Sequence, residues 1–170
     1  MTAFVALLRA VNVGGRKLIM RELKDIAVEL GLGSPRTFIA SGNLLFTSKD
    51  SEAELAARLS AAIGDHIKAE VPALIRSAAE MAQVSRDNPF ADHPGSKVLA
   101  IFLEQAPAQD ALAGVTNVED ELLALGRREI YVAYPSGMAR SKMKLPAAKG
   151  GTARNMNSVA KMAAMLREME

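Results

Sequence analysis

Apolar positions along the chain switch between two periods, and the switches divide it into elements. Residues 3–8 (AFVALL) form a continuous apolar run of strand length, the pattern of a strand covered on both faces or lying under a helix. Past Gly14 and Gly15, residues Met20, Leu23, Ile26, Ala27 and Leu30 recur at helical spacing, and Gly31 stands where a C-terminal cap belongs. Residues 36–40 (RTFIA) and 44–48 (LLFTS) read as strands around the hairpin loop Ser41-Gly42-Asn43. Ser51 with Glu54 is a capping-box signature for a helix whose buried stripe is Leu55, Leu59, Ala62 and Ile63. Residues 71–76 (VPALIR) are a fourth strand, with Pro72 suited to its start or to an edge. The order strand, helix, strand, strand, helix, strand is that of a ferredoxin-like split βαβ unit.

The pattern then begins again. Ser77 and Glu80 cap a short helix, and residues 88–95, from Asn88-Pro89-Phe90 through Pro94-Gly95, lie in a linker. Residues 97–104 (KVLAIFLE) are a strand, and Pro107 opens a helix through Leu112. Residues 118–125 and 129–134 flank Gly126-Arg127-Arg128 as a hairpin, followed by helices over 138–145, stopped by Pro146, and over 155–169. The predicted class is α+β: two tandem ferredoxin-like lobes with antiparallel sheets and a C-terminal helix. The first lobe spans 1–85, the linker 86–96 and the second lobe 97–170. A closing strand for the second lobe is not visible in the pattern.

Charge changes this picture more than composition does. The net charge is only +2, yet no acid precedes Glu22 and none lies between Glu129 and Glu168. Those windows hold Arg9, Arg16, Lys17 and Arg21, then Arg140, Lys142, Lys144, Lys149, Arg154, Lys161 and Arg167. The remainder is acidic, so a basic face between the lobes is expected if the windows meet. The absence of cysteine removes disulfides, thiolate metal sites and thiol nucleophiles, and fits a reducing cytoplasm. Residues 3–8 are too short for a membrane span or a signal core, so no membrane association is expected.

Two segments combine these charges with backbone suited to anions. In residues 9–17, Gly14 and Gly15 let the backbone approach a ligand, Asn12 supports the turn, and Arg9, Arg16 and Lys17 add charge. Neither a nucleoside-triphosphate nor a dinucleotide fingerprint is present. Thr152, Arg154, Asn155 and Asn157 follow Gly150-Gly151 at the expected start of the last helix, where free N–H groups favour anions; Thr152 is equally a plain cap. Ser141 and Lys142 are adjacent and so cannot face one another on a helix, which favours ligand contact or surface charge over a serine–lysine pair. Catalytic groups are scarce: His66 and His93 belong to no motif, and no His/Asp/Glu spacing suggests a metal or cofactor.

LLRAVNVGG (7–15), SGNLLF (41–46), NPF (88–90), SK (141–142) and TARNMNS (152–158) together resemble family 1697 of the domains of unknown function, an uncharacterised bacterial family. The resemblance implies two ferredoxin-like α/β lobes and no known activity. The family pattern has Gly at Ala10, Trp at Met156 and Thr at Ser158; without the Trp, Met156 is expected to pack rather than stack.

Three functional classes follow. A binding module would hold nucleic acid or another polyanion on the basic face by phosphate contacts, since no Trp and only two Tyr make a poor stacking platform. An enzyme or sensor would hold a small phosphorylated or carboxylated molecule in a cleft between the lobes through Arg9, Lys142, Arg154 and the amides. Anion binding is the favoured reading and the enzyme its alternative, with Arg9, Asn12, Gly14, Gly15, Lys17, Ser141, Lys142, Arg154, Asn155 and Asn157 as the expected ligand contacts. A structural role, in lobe docking or a homo-oligomer, would leave Arg154 and Asn155 buried and bonded within the protein.

Overall fold

A computed structural model describes residues 1–9, 20–39 and 42–170. The described chain is α+β, with two four-stranded antiparallel sheets and four α-helices, the last of them C-terminal. It divides into two compact units, Met1–Met81 with Met162–Glu170, and Ala82–Lys161.

In the first unit, β1 (Thr2–Leu8), β2 (Gly33–Thr37), β3 (Asn43–Ser48) and β4 (Ala73–Ser77) lie in the order β2-β3-β1-β4. The apolar run puts β1 between β3 and β4, bonded on both sides. Phe4, Ala6 and Leu8 turn to one face with Phe46, Leu44, Ala73 and Ile75, where Phe4 stacks on its cross-strand partner Phe46 at 6.0 Å. Over this face lie α1 (Met20–Glu29) and α2 (Glu52–Ile67), contributing Leu23, Ile26 and Ala27 from one and Leu55, Leu59 and Ile63 from the other; Met20, expected in the same stripe, is exposed at the start of α1. Gly31 has the positive φ of +78° that ending α1 requires. The capping box opens α2, with the Glu54 N–H donating to Ser51 Oγ at 3.2 Å. The opposite face of the sheet is buried as well and carries Val5, Leu7, Leu45 and the fully buried Arg76.

The second unit repeats the strand order with little helix. Its strands β5 (Val98–Phe102), β6 (Leu122–Leu125), β7 (Glu129–Ala133) and β8 (Thr152–Asn155) lie as β6-β7-β5-β8. The expected helix after Pro107 is only a 3-10 turn at Ala111–Gly114, and the expected helix over 138–145 is extended chain between 3-10 turns at Met138–Arg140 and Pro146–Ala148. The reason is periodicity: Ser141, Met143 and Leu145 alternate with Lys142 and Lys144, a period of two. Met143, Leu145, Ala147 and Ala148 therefore pack beside Ile101, Leu103, Ile130 and Val132, covering the sheet face that helices cover in the first unit.

Two helices leave strand ends. After β4, α3 (Ala78–Arg86) starts with the Glu80 N–H bonded to Ser77 Oγ at 3.2 Å and the Ser77 N–H bonded to Glu80 Oε1 at 3.0 Å, as predicted. After β8, α4 (Met156–Met169) follows at once. Among the described residues, no helix is long and apolar enough to cross a membrane.

Candidate anion-binding site

Of the residues singled out in the first segment, Asn12, Gly14, Gly15 and Lys17, with Arg16, lie outside the described residues. Arg9 stands exposed just past β1, its N–H donating to the Pro72 carbonyl at 3.3 Å.

The second segment departs from expectation. Thr152, Ala153, Arg154 and Asn155 form a strand rather than the opening of a helix, and this is the closing strand that the sequence pattern hid. The cause is length: four residues between Gly150-Gly151 and a strong helical stripe are too few to show alternation. Alternation is nevertheless present, because Thr152 and Arg154 are buried on one face while Ala153 is exposed. Arg154 Nη1 donates to Thr152 Oγ1 at 2.8 Å and to the Ala153 carbonyl at 2.9 Å. Burial pushes the guanidinium pKa down from 12.5 to about 10, so it is charged at neutral pH. Asn155 serves the next element: its Oδ1 accepts the Ser158 N–H at 2.9 Å, the reach of a helix cap. Asn157 is exposed and packs on Gly95, where an added Cβ would fall 2.1 Å from Asn157 Oδ1. Met156 is buried, as a packing role requires.

Ser141 and Lys142 belong to a different arrangement. Ser141 Oγ donates to Glu121 Oε2 at 2.6 Å, and the Met143 N–H bonds back to Ser141 Oγ at 3.3 Å. Nearby, Thr116 and Lys144 exchange backbone bonds of 3.0 and 2.9 Å, and Ser136 Oγ bonds the Asp120 carboxylate. The segment is thus tied at several points to residues 116–121. The bond from Ser141, with backbone N–H groups behind it, holds the Glu121 carboxyl below its usual 4.5. With Met143 and Leu145 turned to the apolar cluster, Arg140, Lys142 and Lys144 are left exposed, as is Lys149. None of these four bases is ion-paired with a described acid. Lys142 and Lys144, two positions apart on extended chain, are separated by about 7 Å along it. Arg140, Lys144 and Lys149 belong to the acid-free window that the charge pattern marked, though not to the candidate ligand residues; the period-two pattern of 141–145 is the signal that sets Lys142 and Lys144 on one side.

Other chemistry is sparse. His66 lies 3.6 Å from Glu22, and His93 lies 3.9 Å from Asp92 with its ring edge-on to Phe90. Among the described residues, no three His, Cys, Asp or Glu side chains are grouped as a metal site. An open depression of about 340 Å³ lies among Leu103, Glu104, Pro107, Ala147, Lys149 and Gly150, with one acid and one base on its rim.

The architecture is therefore that of an α+β protein of two antiparallel sheets, with an ordered basic segment on the second. The chain belongs to the family described as "Protein of unknown function (DUF1697)", whose model matches residues 1–131. The segments 141–142 and 152–158 lie beyond the matched residues. Among solved structures, the chain is similar to a conserved bacterial protein, SP0830 from Streptococcus pneumoniae, at 27% identity and a TM-score of 0.82, covering 98% of this chain and 99% of that one. No curated protein matches the chain.

Proposed function

We propose that the protein binds a polyanion through its phosphates, using Arg140, Lys142, Lys144 and Lys149. The observation that carries this reading is that four bases stand exposed and without ion pairs on a segment tied down by backbone and side-chain bonds. Fixed, unpaired cations lose little freedom when phosphates replace their counterions, which favours binding. Lys142 and Lys144, two positions apart on extended chain, suit a repeating anion better than a single small one. Arg154, Asn155 and Asn157 support this site as structure rather than as ligands, since each is bonded or packed within the protein. A second reading, an enzyme or sensor for a small anionic metabolite, draws on the depression beside Lys149, where Glu104 opposes an anion.

The test is fluorescence anisotropy of labelled single- and double-stranded oligonucleotides across a salt series. Native protein should bind at low salt, and log K should fall against log salt with a duplex slope of about −3 for three or four phosphate contacts. The variant Arg140→Ala/Lys142→Ala/Lys144→Ala should lose most of that slope. Absence of binding at low salt would overturn the polyanion reading and leave the small-anion one.

We also infer that each unit is a ferredoxin-like fold. Support comes from the strand order β2-β3-β1-β4, with a helix between β1 and β2 and another between β3 and β4, and from the same order in β6-β7-β5-β8. In the second unit, turns stand in for both helices.

A further inference from the structure

The two sheets treat their outer strands differently. β2, at the edge of the first, carries Pro35, a φ of +45° at Ser34 and a register break between Gly33 and Arg36. These are devices that stop an edge from pairing with another chain. β6, at the edge of the second, has none of them. Its residues LLAL carry no charge and no proline, pair with β7 in unbroken register, and none is fully buried.

The direction of its backbone groups follows from one bond. The Gly126 N–H donates to the Glu129 carbonyl at 2.7 Å, so Gly126, Ala124 and Leu122 turn their backbone groups toward β7. Leu123 and Leu125 consequently turn their N–H and C=O groups outward, and no described residue bonds them. On either side of this open edge the charges are of opposite sign: Glu119, Asp120 and Glu121 before it, Arg127 and Arg128 after it.

We propose that β6 pairs antiparallel with β6 of a second copy of this chain, across a two-fold axis at Ala124. An antiparallel pair of identical edges must join outward-facing residues to outward-facing residues, which allows only alternate registers. With Leu123 opposite Leu125 of the second copy, the acidic run of each chain, in which Glu119 and Asp120 are exposed while Glu121 is buried against Ser141, lies alongside the Arg127-Arg128 turn of the other, at both ends of the interface. A shift by two residues one way sets Glu121 against Leu125, and the other way sets Leu123 against Arg127. The favoured register puts Ala124 on the axis, at a position without ladder bonds where cross-strand side chains come closest and a methyl group fits. Leu122, 42% exposed, then lies across from Gly126, where no side chain obstructs it. Arg127 is exposed and makes no ion pair with a described acid, so its charge is available to the second copy.

The test uses the whole chain, whose monomer mass is 18.1 kDa. Light scattering after size exclusion should give twice that mass at high concentration, with a dissociation constant that rises with salt and at least about tenfold in Arg127→Glu, a change in a surface turn. Because the chain has no cysteine, a single introduced thiol reports register. Ala124→Cys should form an intermolecular disulfide on mild oxidation, since Cα atoms at such a pair lie about 4.5 Å apart. Leu122→Cys, four positions out of register, and Ala53→Cys, on exposed α2, should not. A monomer at every soluble concentration overturns the proposal, as does a dimer in which Ala124→Cys cross-links no faster than Ala53→Cys or in which Arg127→Glu changes nothing.

Discussion

The two units share a strand order and differ in what lies over the sheet. In the first, α1 and α2 bring six buried apolar side chains onto β1, β3 and β4, closing a large continuous cluster. In the second, the corresponding face is covered by irregular chain whose Met143, Leu145, Ala147 and Ala148 are only partly buried. The same sheet therefore serves two ends. A helical cover maximises buried area, whereas an extended cover exposes every second side chain, and on 140–144 those side chains are bases. One feature is the same in both units: the strand beside the first strand carries a buried arginine, Arg76 on β4 or Arg154 on β8, followed by a cap and a helix. Each Nη1 bonds the carbonyl of the preceding residue, at 3.1 and 2.9 Å. The residue after each is the cap, Ser77 for α3 and Asn155 for α4.

The sharpest way to break the comparison is to remove matching cover from the two sheets. Leu59→Ala, at a fully buried position of α2, should cost about 3 kcal/mol, because a cavity is left among side chains that cannot collapse into it. Met143→Ala, on extended and partly exposed chain, should cost about 1 kcal/mol. Chemical denaturation of each variant checks the difference. Equal costs would mean that the second cover is as tightly packed as the first.

The buried arginines come next. Arg154→Ala removes bonds to Thr152 and Ala153 and leaves a void, so it should cost about 2–4 kcal/mol. Arg154→Met fills the space without a charge whose burial already lowers its pKa to about 10, and should fall within about 1 kcal/mol of the native protein. If both variants keep full stability and lose oligonucleotide binding, Arg154 is a ligand and the structural assignment fails.

How much of this was legible differs between the units for the same reason that their covers differ. Long amphipathic helices with caps announce themselves, so Ser51-Glu54, the Leu55-Leu59-Ile63 stripe and the runs that became β1, β3 and β4 were readable from spacing alone. Short elements held by tertiary contacts do not. β8 has four residues, and 138–145, expected to be a helix, is extended because Ser141, Met143 and Leu145 alternate with Lys142 and Lys144. β2 was displaced toward 36–40 because Pro35 and Ser34, poor strand residues, sit inside it at the irregular edge. Of the site, the charge windows exposed the bases of 140–149, while Asn155 and Arg154 looked like ligands because a cap and a buried bond partner use the same residue types as an anion site.

The caps offer a smaller test of the shared junction. Ser77→Ala and Asn155→Ala should each cost about 1 kcal/mol, because each removes one bond to the first turn of the helix that follows. Similar costs from thermal melts would support a true structural repeat. A negligible cost for Asn155→Ala would restrict the likeness to geometry.

The smallest effect concerns the tie that holds the basic segment. Glu121 accepts from Ser141, and its carboxyl is held below 4.5, chiefly by that bond. A carboxylate with a depressed folded-state pKa contributes stability that is fully present above its unfolded value and is lost as pH falls through the folded one. The native protein should therefore keep the segment ordered at neutral pH and begin to release it only below the ordinary carboxylate range, whereas Ser141→Ala should shift that onset upward. Amide hydrogen exchange at Met143 and Lys144 across an acid titration reads this locally, since the Met143 N–H bonds Ser141 Oγ and the Lys144 N–H bonds the Thr116 carbonyl. Because Thr116 and Lys144 hold each other through backbone bonds that do not titrate, protection at Lys144 should survive better than at Met143. Equal loss at both would mean that the whole segment depends on the one carboxylate, and that its bases are presented only while Glu121 is charged.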